Sequence, residues 1–314
     1  MSTVLITGCA GFIGSHATDH FLQNGYKVIG VDSFTYAANI NNLENAMSYN
    51  SFTLERVDIC NTEKILNICL ESEVEWIINF AAETHVDNSI LSDAEFIRSN
   101  IIGVKSLLDV CRKLGTKLFH ISTDEVYGPA EDYSFTEEDK LSPKNPYSAT
   151  KAAAEHIIES YHNTYGVEYI TVRPSNNFGP RQHSEKFLPT ITRSLRIGEK
   201  IPIYGDGTNI RDWLYVGDNV ETIYSILKNG SLNQVYNITF KNEMTNLQLV
   251  KKVVSALDRD FHESVKFVTD RLGHDFKYSI SNDKISQFVA APSLKFDQNL
   301  QYTIEWLYRY GDIE

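Results

Sequence analysis

The sequence predicts an α/β fold, in which a doubly wound parallel sheet is followed by a smaller C-terminal domain. Three observations support this prediction. Short apolar runs alternate with amphipathic stretches through the first half of the chain, a glycine-rich turn follows the first run, and the regularity fades after Arg173. Such alternation is typical of parallel sheets, because neighbouring parallel strands need a long crossover, usually a helix. We expect one domain over residues 1–172 and a second mainly over residues 173–314, with segments within 207–240 returning to the first.

The predicted strands are short runs rich in Val, Ile, Leu and Phe, each bounded by polar or turn-forming residues. In chain order they are Val4–Thr7, Lys27–Asp32, Phe52–Arg56, Trp76–Phe80, Lys117–Ser122 and Ile170–Arg173. The longer amphipathic stretches predict helices at Ser15–Asn24, Glu63–Glu71, Phe96–Leu114 and Pro146–Tyr165. Proline suits the first position of a helix, which supports a start at Pro146.

Composition excludes several classes of protein. A formal net charge of −12 argues against nucleic acid or an anionic membrane as the main partner, although a helix N-terminus and a few arginines can still bind a small anion. No apolar run reaches the roughly 20 residues of a membrane span. The first residues lack the basic segment and apolar core of a signal peptide, so we expect a cytoplasmic protein. The four cysteines (Cys9, Cys60, Cys69 and Cys111) show no metal-ligand spacing, so we expect buried thiols and no metal.

The glycine-rich turn runs from Thr7 to Gly14, with the sequence Thr-Gly-Cys-Ala-Gly-Phe-Ile-Gly, directly between the first strand and the first helix. Glycines at this junction permit a tight turn and let the backbone approach a pyrophosphate. Asp32 ends the next strand, where a carboxylate would bind ribose hydroxyls and repel a 2′-phosphate. Ser33 and Phe34 offer no arginine for such a phosphate. The sequence therefore predicts a Rossmann-type domain that binds NAD in preference to NADP.

Two further motifs carry chemistry. Residues 122–128 read Ser-Thr-Asp-Glu-Val-Tyr-Gly and place Asp124 and Glu125 at the end of a predicted strand; residues 147–151 read Tyr-Ser-Ala-Thr-Lys. Tyr147 and Lys151 are four residues apart on a predicted helix and share one face. We expect the Lys151 ammonium to lower the pKa of Tyr147, which makes the phenol a base for a hydroxyl proton while hydride leaves the same carbon. The two carboxyls supply a second proton transfer, which a simple oxidoreductase does not need.

With these motifs the chain resembles the extended short-chain dehydrogenase/reductases, and the Thr-Asp-Glu triplet at 123–125 resembles that of the nucleotide-sugar 4,6-dehydratases, typified by dTDP-glucose 4,6-dehydratase. The resemblance runs from about residue 3 to about residue 285. It is also carried by Asp-Ser-Phe-Thr-Tyr-Ala at 32–37, Ala-Ala-Glu-Thr-His-Val-Asp at 81–87, Ser-Asn-Asn-Phe-Gly-Pro at 175–180 and Ile-Arg-Asp-Trp-Leu at 210–214.

The resemblance implies a three-step reaction on a nucleoside-diphosphate glucose. Tyr147 takes the C4 hydroxyl proton while hydride passes to NAD, with Lys151 supporting the tyrosinate. Glu125 then removes the C5 proton while protonated Asp124 donates to the leaving C6 hydroxyl. Hydride finally returns to C6 and a proton to C5, which gives a 4-keto-6-deoxy sugar and leaves NAD unchanged. Thr123 would orient the sugar through its C4 oxygen.

The resemblance also implies the binding residues. Those predicted for NAD are Gly8, Gly11, Phe12, Ile13, Gly14, Asp32, Ser33, Phe34, Thr35, Asp58, Ile59, Phe80, Ala81, Ala82, Ser99, Tyr147, Lys151 and Asn177. Those predicted for the substrate are Thr84, Thr123, Asn176, Lys186, Phe187, Pro202, Tyr204, Arg211, Asn237, Arg271 and His274. Lys186 has a surface cation as its alternative, and His274 a buried hydrogen-bonded imidazole. An equally good interpretation of Asp58 and Ile59 is that they form the polar end of a strand and have no role in binding the cofactor.

Some features leave choices open. The segment between Thr123 and Tyr147 is short, whereas many bacterial dTDP-glucose enzymes carry an insert there, so the sequence leaves thymine and uracil nucleotides both open. Leu272 stands where the family commonly has proline, and Cys9 where it often has glycine. The alternatives in function are a UDP-sugar 4-epimerase, a UDP-glucuronate decarboxylase and a non-catalytic NAD-binding scaffold. An epimerase needs no acid and base at C5 and C6, and decarboxylases typically lack the aspartate of the triplet. The predicted helices Phe96–Leu114 and Pro146–Tyr165 resemble those that form the dimer interface in this superfamily, so the resemblance implies a homodimer. Packing of these helices onto the sheet is the alternative explanation of their amphipathicity.

Overall fold

The computed structural model describes residues 2–270, 275–287, 289 and 295–311. Its strands, numbered β1 to β12, are Thr3–Thr7, Lys27–Asp32, Phe52–Arg56, Trp76–Asn79, Lys117–Ile121, Tyr169–Pro174, Asn176–Phe178, Ile201–Tyr204, Ile210–Tyr215, Gln234–Ile238, Glu243–Thr245 and Val265–Val268. Its α-helices, numbered α1 to α11, are Phe12–Gln23, Thr62–Glu71, Val86–Leu91, Ala94–Phe96, Val104–Leu114, Pro146–Tyr165, Phe187–Ile197, Val216–Asn229, Asn246–Ala256, Phe261–Ser264 and Phe296–Tyr310.

A seven-stranded parallel sheet forms the centre of the molecule, in the order β10-β6-β5-β4-β1-β2-β3. The β1 side chains show how both faces are covered. Val4 and Ile6 pack in one core with Phe21 of α1 and Ile223 of α8, whereas Leu5 packs in another with residues of α2, α5 and α6. Successive strand side chains point to opposite faces, so a strand buried on both sides is continuously apolar. The predicted doubly wound sheet is confirmed.

The strand predictions agree with the structure to within one residue at each end, but one helix prediction is wrong. Phe96–Leu114 is not a single α-helix, because a π-helix at Ile97–Gly103 separates α4 from α5. The wider turn places the Asn100 amide so that it accepts from the Glu83 main-chain N–H at 2.9 Å and donates to the Thr150 hydroxyl at 3.0 Å. π-Helical turns of this kind are frequent at functional sites.

The second half of the chain builds its own core beside the carboxyl edge of the central sheet. Strands β7, β9 and β11 form a three-stranded sheet, and β8 pairs with β12. Helices α7, α9 and α11 cover them around buried side chains that include Ile191, Trp213, Val250 and Leu300. Strand β10 instead pairs with β6 of the central sheet. We propose that the boundary between the two domains lies between residues 172 and 173. No helix among the described residues is long and apolar enough to cross a bilayer.

A buried ion pair ties α6 to the centre of the sheet. Arg173, on β6, donates from Nη2 to Glu155 Oε2 of α6 at 2.6 Å, and both side chains are almost fully buried. Glu155 also accepts from the Ser122 hydroxyl at 2.5 Å, and Arg173 donates to the Tyr127 hydroxyl at 2.5 Å. The pair therefore joins β5, β6, α6 and the turn after β5.

Removing one partner of this pair should be strongly destabilising. In Arg173→Met the Glu155 carboxylate stays buried without its cation, and the free energy of unfolding should fall by about 3–5 kcal/mol. Lys105→Met is the control, because Lys105 and Asp109 form an exposed pair at 2.6 Å, whose loss should cost only about 0.5 kcal/mol. Urea denaturation measures both variants. Equal small losses would show that the buried pair does not hold these elements together.

Candidate active site

The predicted catalytic residues meet in one cleft of about 530 Å³, at the carboxyl edge of the central sheet. The turn after β1, the segment after β4 and the triplet after β5 form its floor, and the start of α6 brings Tyr147 and Lys151. The second half of the chain closes the opposite side. Ligands bind at this edge in open α/β sheets, because the loops after parallel strands converge there.

The structure brings most of the predicted residues to this cleft. All five catalytic candidates line it. So do the cofactor candidates Gly8, Gly11, Phe12, Ile13, Gly14, Phe80, Ala82 and Asn177, and the substrate candidates Thr84, Asn176, Lys186, Phe187, Pro202, Tyr204 and Arg211. The roles of these residues stay predictions.

The remaining candidates lie elsewhere. Asp32 ends β2, which pairs with β1, and Ser33, Phe34 and Thr35 follow it. Asp58 and Ile59 follow β3, which pairs with β2, and Ser99 lies in the π-helix. Ala81 donates its N–H to the Thr7 hydroxyl at 3.2 Å behind the glycine turn. Arg271 and His274 lie outside the described residues.

The prediction that Asn237 contacts the substrate does not fit the structure. Asn237, on β10, is fully buried and does not line the cleft. Its amide accepts from the Tyr127 hydroxyl at 2.9 Å and donates to the Phe135 carbonyl at 3.1 Å. Both polar ends of the side chain are therefore used inside the protein.

The glycine turn is shaped to receive a phosphate group. Gly8 has φ +65°, and a Cβ there would lie 2.8 Å from the Ala81 nitrogen, so only glycine fits. Gly11 is the N-cap of α1 and has no side chain, and no acidic residue stands in the first helical turn. The first N–H groups of α1 are thus left for an anion. Asp32 accepts from the N–H groups of Ala10 at 3.0 Å and Phe34 at 2.8 Å, which fixes the turn against β2.

The environment of Tyr147 differs from the sequence-based expectation. Burial raises the pKa of Tyr147, the Glu125 charge raises it further, and a hydrogen bond with Thr123 acts in the opposite direction. Lys151 instead donates to the Ile121 carbonyl at 2.5 Å, and burial lowers its own pKa to about 8. The expectation that Lys151 lowers the pKa of Tyr147 is therefore wrong here, because desolvation dominates and the ammonium is held by the main chain.

The two adjacent carboxyls have different surroundings. Asp124 is only 3% exposed, and burial followed by the Glu125 and Asp212 charges holds its pKa well above the ordinary range. Glu125 is partly exposed to the cleft. Burial raises its pKa too, but a hydrogen bond from Asn145 and the charges of Arg211 and Lys186 act in the opposite direction. The environment thus favours a proton on Asp124 and an ionised Glu125.

Two cations of the cleft come from the second half of the chain. Lys186 donates to the Thr84 carbonyl at 3.1 Å and so connects the two sides of the cleft. The Arg211 guanidinium donates to the main-chain oxygens of Ile210 at 2.7 Å and Asp275 at 3.0 Å, and lies 4.6 Å from the Tyr278 ring centroid. These main-chain acceptors fix the direction of the Arg211 guanidinium, whose fork matches the oxygens of an anionic ligand.

Sequence reasoning missed several residues that line the cleft. They are Asn145, Asp275, Tyr278 and Trp213. Asn145 has a sequence signal, because an asparagine directly before a proline at a helix start is a typical N-cap. Nothing local in the sequence indicates that Asp275 and Tyr278 face the triplet.

The parallel sheet, the glycine turn and the Tyr/Lys pair beside two carboxyls define an enzyme of the extended short-chain dehydrogenase/reductase class. The family model of GDP-mannose 4,6-dehydratase matches residues 5–302. A dTDP-glucose 4,6-dehydratase of Haemophilus influenzae is 37% identical, with 98% of each chain covered. The low-salt glycan biosynthesis protein Agl12 of Haloferax volcanii is 39% identical over 99% of each chain. The chain belongs to the nucleotide-sugar 4,6-dehydratase family.

Solved structures agree with this assignment. DesIV of Streptomyces venezuelae, a dTDP-glucose 4,6-dehydratase crystallised with NAD, superposes with a TM-score of 0.94 at 36% identity, covering 98% of this chain and 97% of that one. A UDP-glucose 4-epimerase of Thermotoga maritima superposes with a TM-score of 0.90 at 28% identity, covering 98% of this chain and 99% of that one. The fold is thus shared with epimerases, and the distinction rests on the site.

Lys151 gives a prediction about pH. Its folded-state pKa is about 8 against an ordinary value of 10.5, so between these values the unfolded chain binds more protons than the folded protein. The contribution of Lys151 to stability therefore rises with pH across this interval. Between these two pH values, the free energy of unfolding of the wild type should rise by roughly 3 kcal/mol relative to that of Lys151→Met. Urea denaturation of both proteins at the two ends of the interval measures this rise. A difference in stability between the two proteins that does not change with pH would contradict a lowered pKa of the buried ammonium.

Proposed function

We propose that this protein is an NAD-dependent dTDP-glucose 4,6-dehydratase, which eliminates water from the glucose unit to give the 4-keto-6-deoxy sugar nucleotide. One observation carries the proposal. Tyr147, Asp124 and Glu125 line the same cleft, and their surroundings raise the pKa of Asp124 more strongly than the pKa of Glu125. Oxidation at one carbon followed by elimination at the next two needs one phenol and two carboxyls with opposite duties.

NAD fits the described turn. The side-chain-free N-cap of α1 suits the pyrophosphate, and Asp32 suits ribose hydroxyls better than a 2′-phosphate. The solved relatives with NAD bound support this choice. When bound, NAD accepts hydride from C4 of the sugar and later returns it to C6, so the cofactor is regenerated in each turnover.

The residues of the chain supply the proton transfers. Tyr147 receives the C4 hydroxyl proton as its tyrosinate, a form that the positive charge of the nicotinamide ring would favour when NAD is bound. Thr123 lies beside it to orient the oxygen. The C4 ketone acidifies the C5 hydrogen, which Glu125 removes as a proton. The electron pair left at C5 forms the C5–C6 double bond as the C6–O bond breaks, and Asp124 donates its proton so that water leaves. When hydride is returned to C6, the double bond is reduced and the protonated Glu125 gives a proton back to C5. Lys151, held on the Ile121 carbonyl, stabilises the local arrangement of α6 against β5.

The second half of the chain supports binding of the nucleoside diphosphate. Arg211 and Lys186 place positive charge in the cleft beside Asn176, whose Oδ1 is buried without a hydrogen-bond partner among the described residues. A guanidinium fork matches phosphate oxygens, and an ammonium acts as a point charge. Curated relatives named as dTDP-glucose enzymes favour thymidine over uridine, and UDP-glucose remains the second substrate to test.

The Asp124–Glu125 pair disfavours the 4-epimerase and decarboxylase alternatives, although epimerases share the fold. We also propose a homodimer. The π-helix before α5 carries exposed apolar side chains at Ile97 and Ile102, and α6 ends at the exposed Tyr165. A cytoplasmic location stays an expectation from the sequence.

The direct test is to incubate the purified protein with dTDP-glucose and, separately, UDP-glucose, and to identify the product by NMR. The proposal expects a 4-keto-6-deoxy-glucose nucleotide with no net change in NAD. A galactose nucleotide would instead identify an epimerase. Bound NAD without turnover of either substrate would favour a scaffold.

Tyr147→Phe should remove the first proton acceptor. Because C4 oxidation requires loss of the hydroxyl proton, kcat should fall by about 10²- to 10⁴-fold, and little NADH should form in a single turnover. Absorbance of enzyme-bound NADH after rapid mixing measures this. Wild-type amounts of NADH in the variant would remove Tyr147 from this role.

Glu125→Gln should separate oxidation from elimination. The variant keeps Tyr147, so C4 is still oxidised, but the C5 proton has no base and enzyme-bound NADH should accumulate. Turnover should fall by about 10²- to 10⁴-fold. Solvent deuterium entering C5 at the wild-type rate would show that another group is the base.

A further inference from the structure

Asn145 links the helix that carries Tyr147 to the carboxylate of Glu125. It is the N-cap of α6, where its Oδ1 accepts the Ser148 N–H at 2.9 Å and the Ser148 hydroxyl accepts the Asn145 N–H at 3.3 Å. On its other side, Asn145 Nδ2 donates to Glu125 Oε2 at 3.3 Å. The same side chain thus starts the helix and contacts one of the two adjacent carboxyls.

The cap fixes which end of the amide faces Glu125. A main-chain N–H can only donate, so the atom of Asn145 that meets the Ser148 N–H must be the oxygen. The amide nitrogen must therefore face Glu125, and it can only donate. A donor directed at a carboxylate stabilises its ionised form, because a protonated carboxyl accepts more weakly.

Asp124 has different surroundings. Its Oδ1 accepts from the Thr123 hydroxyl at 3.3 Å, the same length as the bond from Asn145 to Glu125, but no amide N–H among the described residues reaches it. Its buried Oδ2 has no hydrogen-bond partner among the described residues. A buried carboxylate oxygen without a donor is costly, whereas a protonated one keeps an O–H that can be given to a ligand. The carboxyl groups of Asp124 and Glu125 thus differ in that only Glu125 accepts a hydrogen bond from the amide of Asn145.

We propose that Asn145 is a positioning residue that selects Glu125 as the ionised base, leaving Asp124 as the acid, by directing its amide N–H at the Glu125 carboxylate. This inference rests on the proposed dehydration, in which Glu125 accepts the C5 proton while Asp124 gives its proton to the departing C6 oxygen. Asn145 itself need not touch the sugar. The other charged or titratable groups that face Glu125 are Asp124, Tyr147, Lys186, Arg211, Asp275 and Tyr278. Each of these is kept in the variants below.

Asn145→Ser separates the two roles of the side chain. Serine is as good an N-cap as asparagine, but its hydroxyl is too short to reach Glu125 from the cap. With the donor lost, the acidic limb of the kcat–pH profile should move upward by about half a unit to one unit. The rate should recover at higher pH. Asn145→Asp also preserves the cap but places a carboxylate beside Glu125. The acidic limb of its kcat–pH profile should therefore move to a still higher pH.

Ser148→Ala is the matched control. It removes the hydroxyl from the capping box but leaves the Asn145 amide on Glu125. It should lower the melting temperature and leave the acidic limb in place. Exchange of solvent deuterium into C5, followed across pH, should report the same shifts as kcat, because that exchange includes the proton transfer assigned to Glu125.

The outcomes separate the two proposals. A wild-type protein that forms no keto sugar from dTDP-glucose or UDP-glucose would overturn the proposed function. An active wild type with the same acidic limb in Asn145→Ser and Asn145→Asp would overturn the role of Asn145 alone. An equal upward shift in Ser148→Ala would also overturn it, since the effect would then come from the helix start. Shifts in the order wild type, Asn145→Ser, Asn145→Asp support it.

Discussion

The Glu155–Arg173 ion pair holds the two halves of the proposed chemistry in one place. Ser122 and Tyr127, which flank the Thr123–Glu125 triplet, each hydrogen-bond to one member of the pair. Glu155 lies one helical turn after Lys151, so the same pair also sets the position of α6. A buried pair with additional hydrogen bonds is geometrically specific even where its net contribution to stability is small. The triplet and the tyrosine helix are therefore positioned by one polar cluster beneath the cleft.

Much of the first half of the fold could be predicted because its determinants are local. A run such as Val4–Thr7 is buried on both faces and reads as a strand from composition alone. The π-helix could not be predicted this way, since its cause is tertiary. Asn100 reaches the Glu83 main chain, and Gly103 packs against Ile59, where a Cβ would collide. The short strands of the second half likewise depend on pairings between distant segments, such as β7 with β9.

The same distinction applies to the candidate site, where the residues could be predicted from motifs but their electrostatics could not. Motif residues were predicted as a set, and the fold brings Asp124, Glu125 and Tyr147 together at one sheet edge. Their electrostatics could not be predicted, because a pKa depends on burial and on partners far along the chain. Lys151 illustrates this, since its position on the helix suggested a contact with Tyr147 but its ammonium is held by Ile121. Asn237 was predicted only through the family resemblance, and its buried hydrogen bonds with Tyr127 and Phe135 depend on segments far along the chain.

The buried phenol and Glu125 are electrostatically coupled, and this coupling bears on the order of events. The negative charge of Glu125 raises the pKa of Tyr147, so two adjacent anions are disfavoured in the resting cleft. In the proposed reaction, a tyrosinate that takes up the C4 hydroxyl proton becomes a neutral phenol, so its repulsion of the Glu125 charge is removed before the second proton transfer. The coupling between the two groups thus favours an ionised Glu125 after oxidation, which is the order that elimination requires.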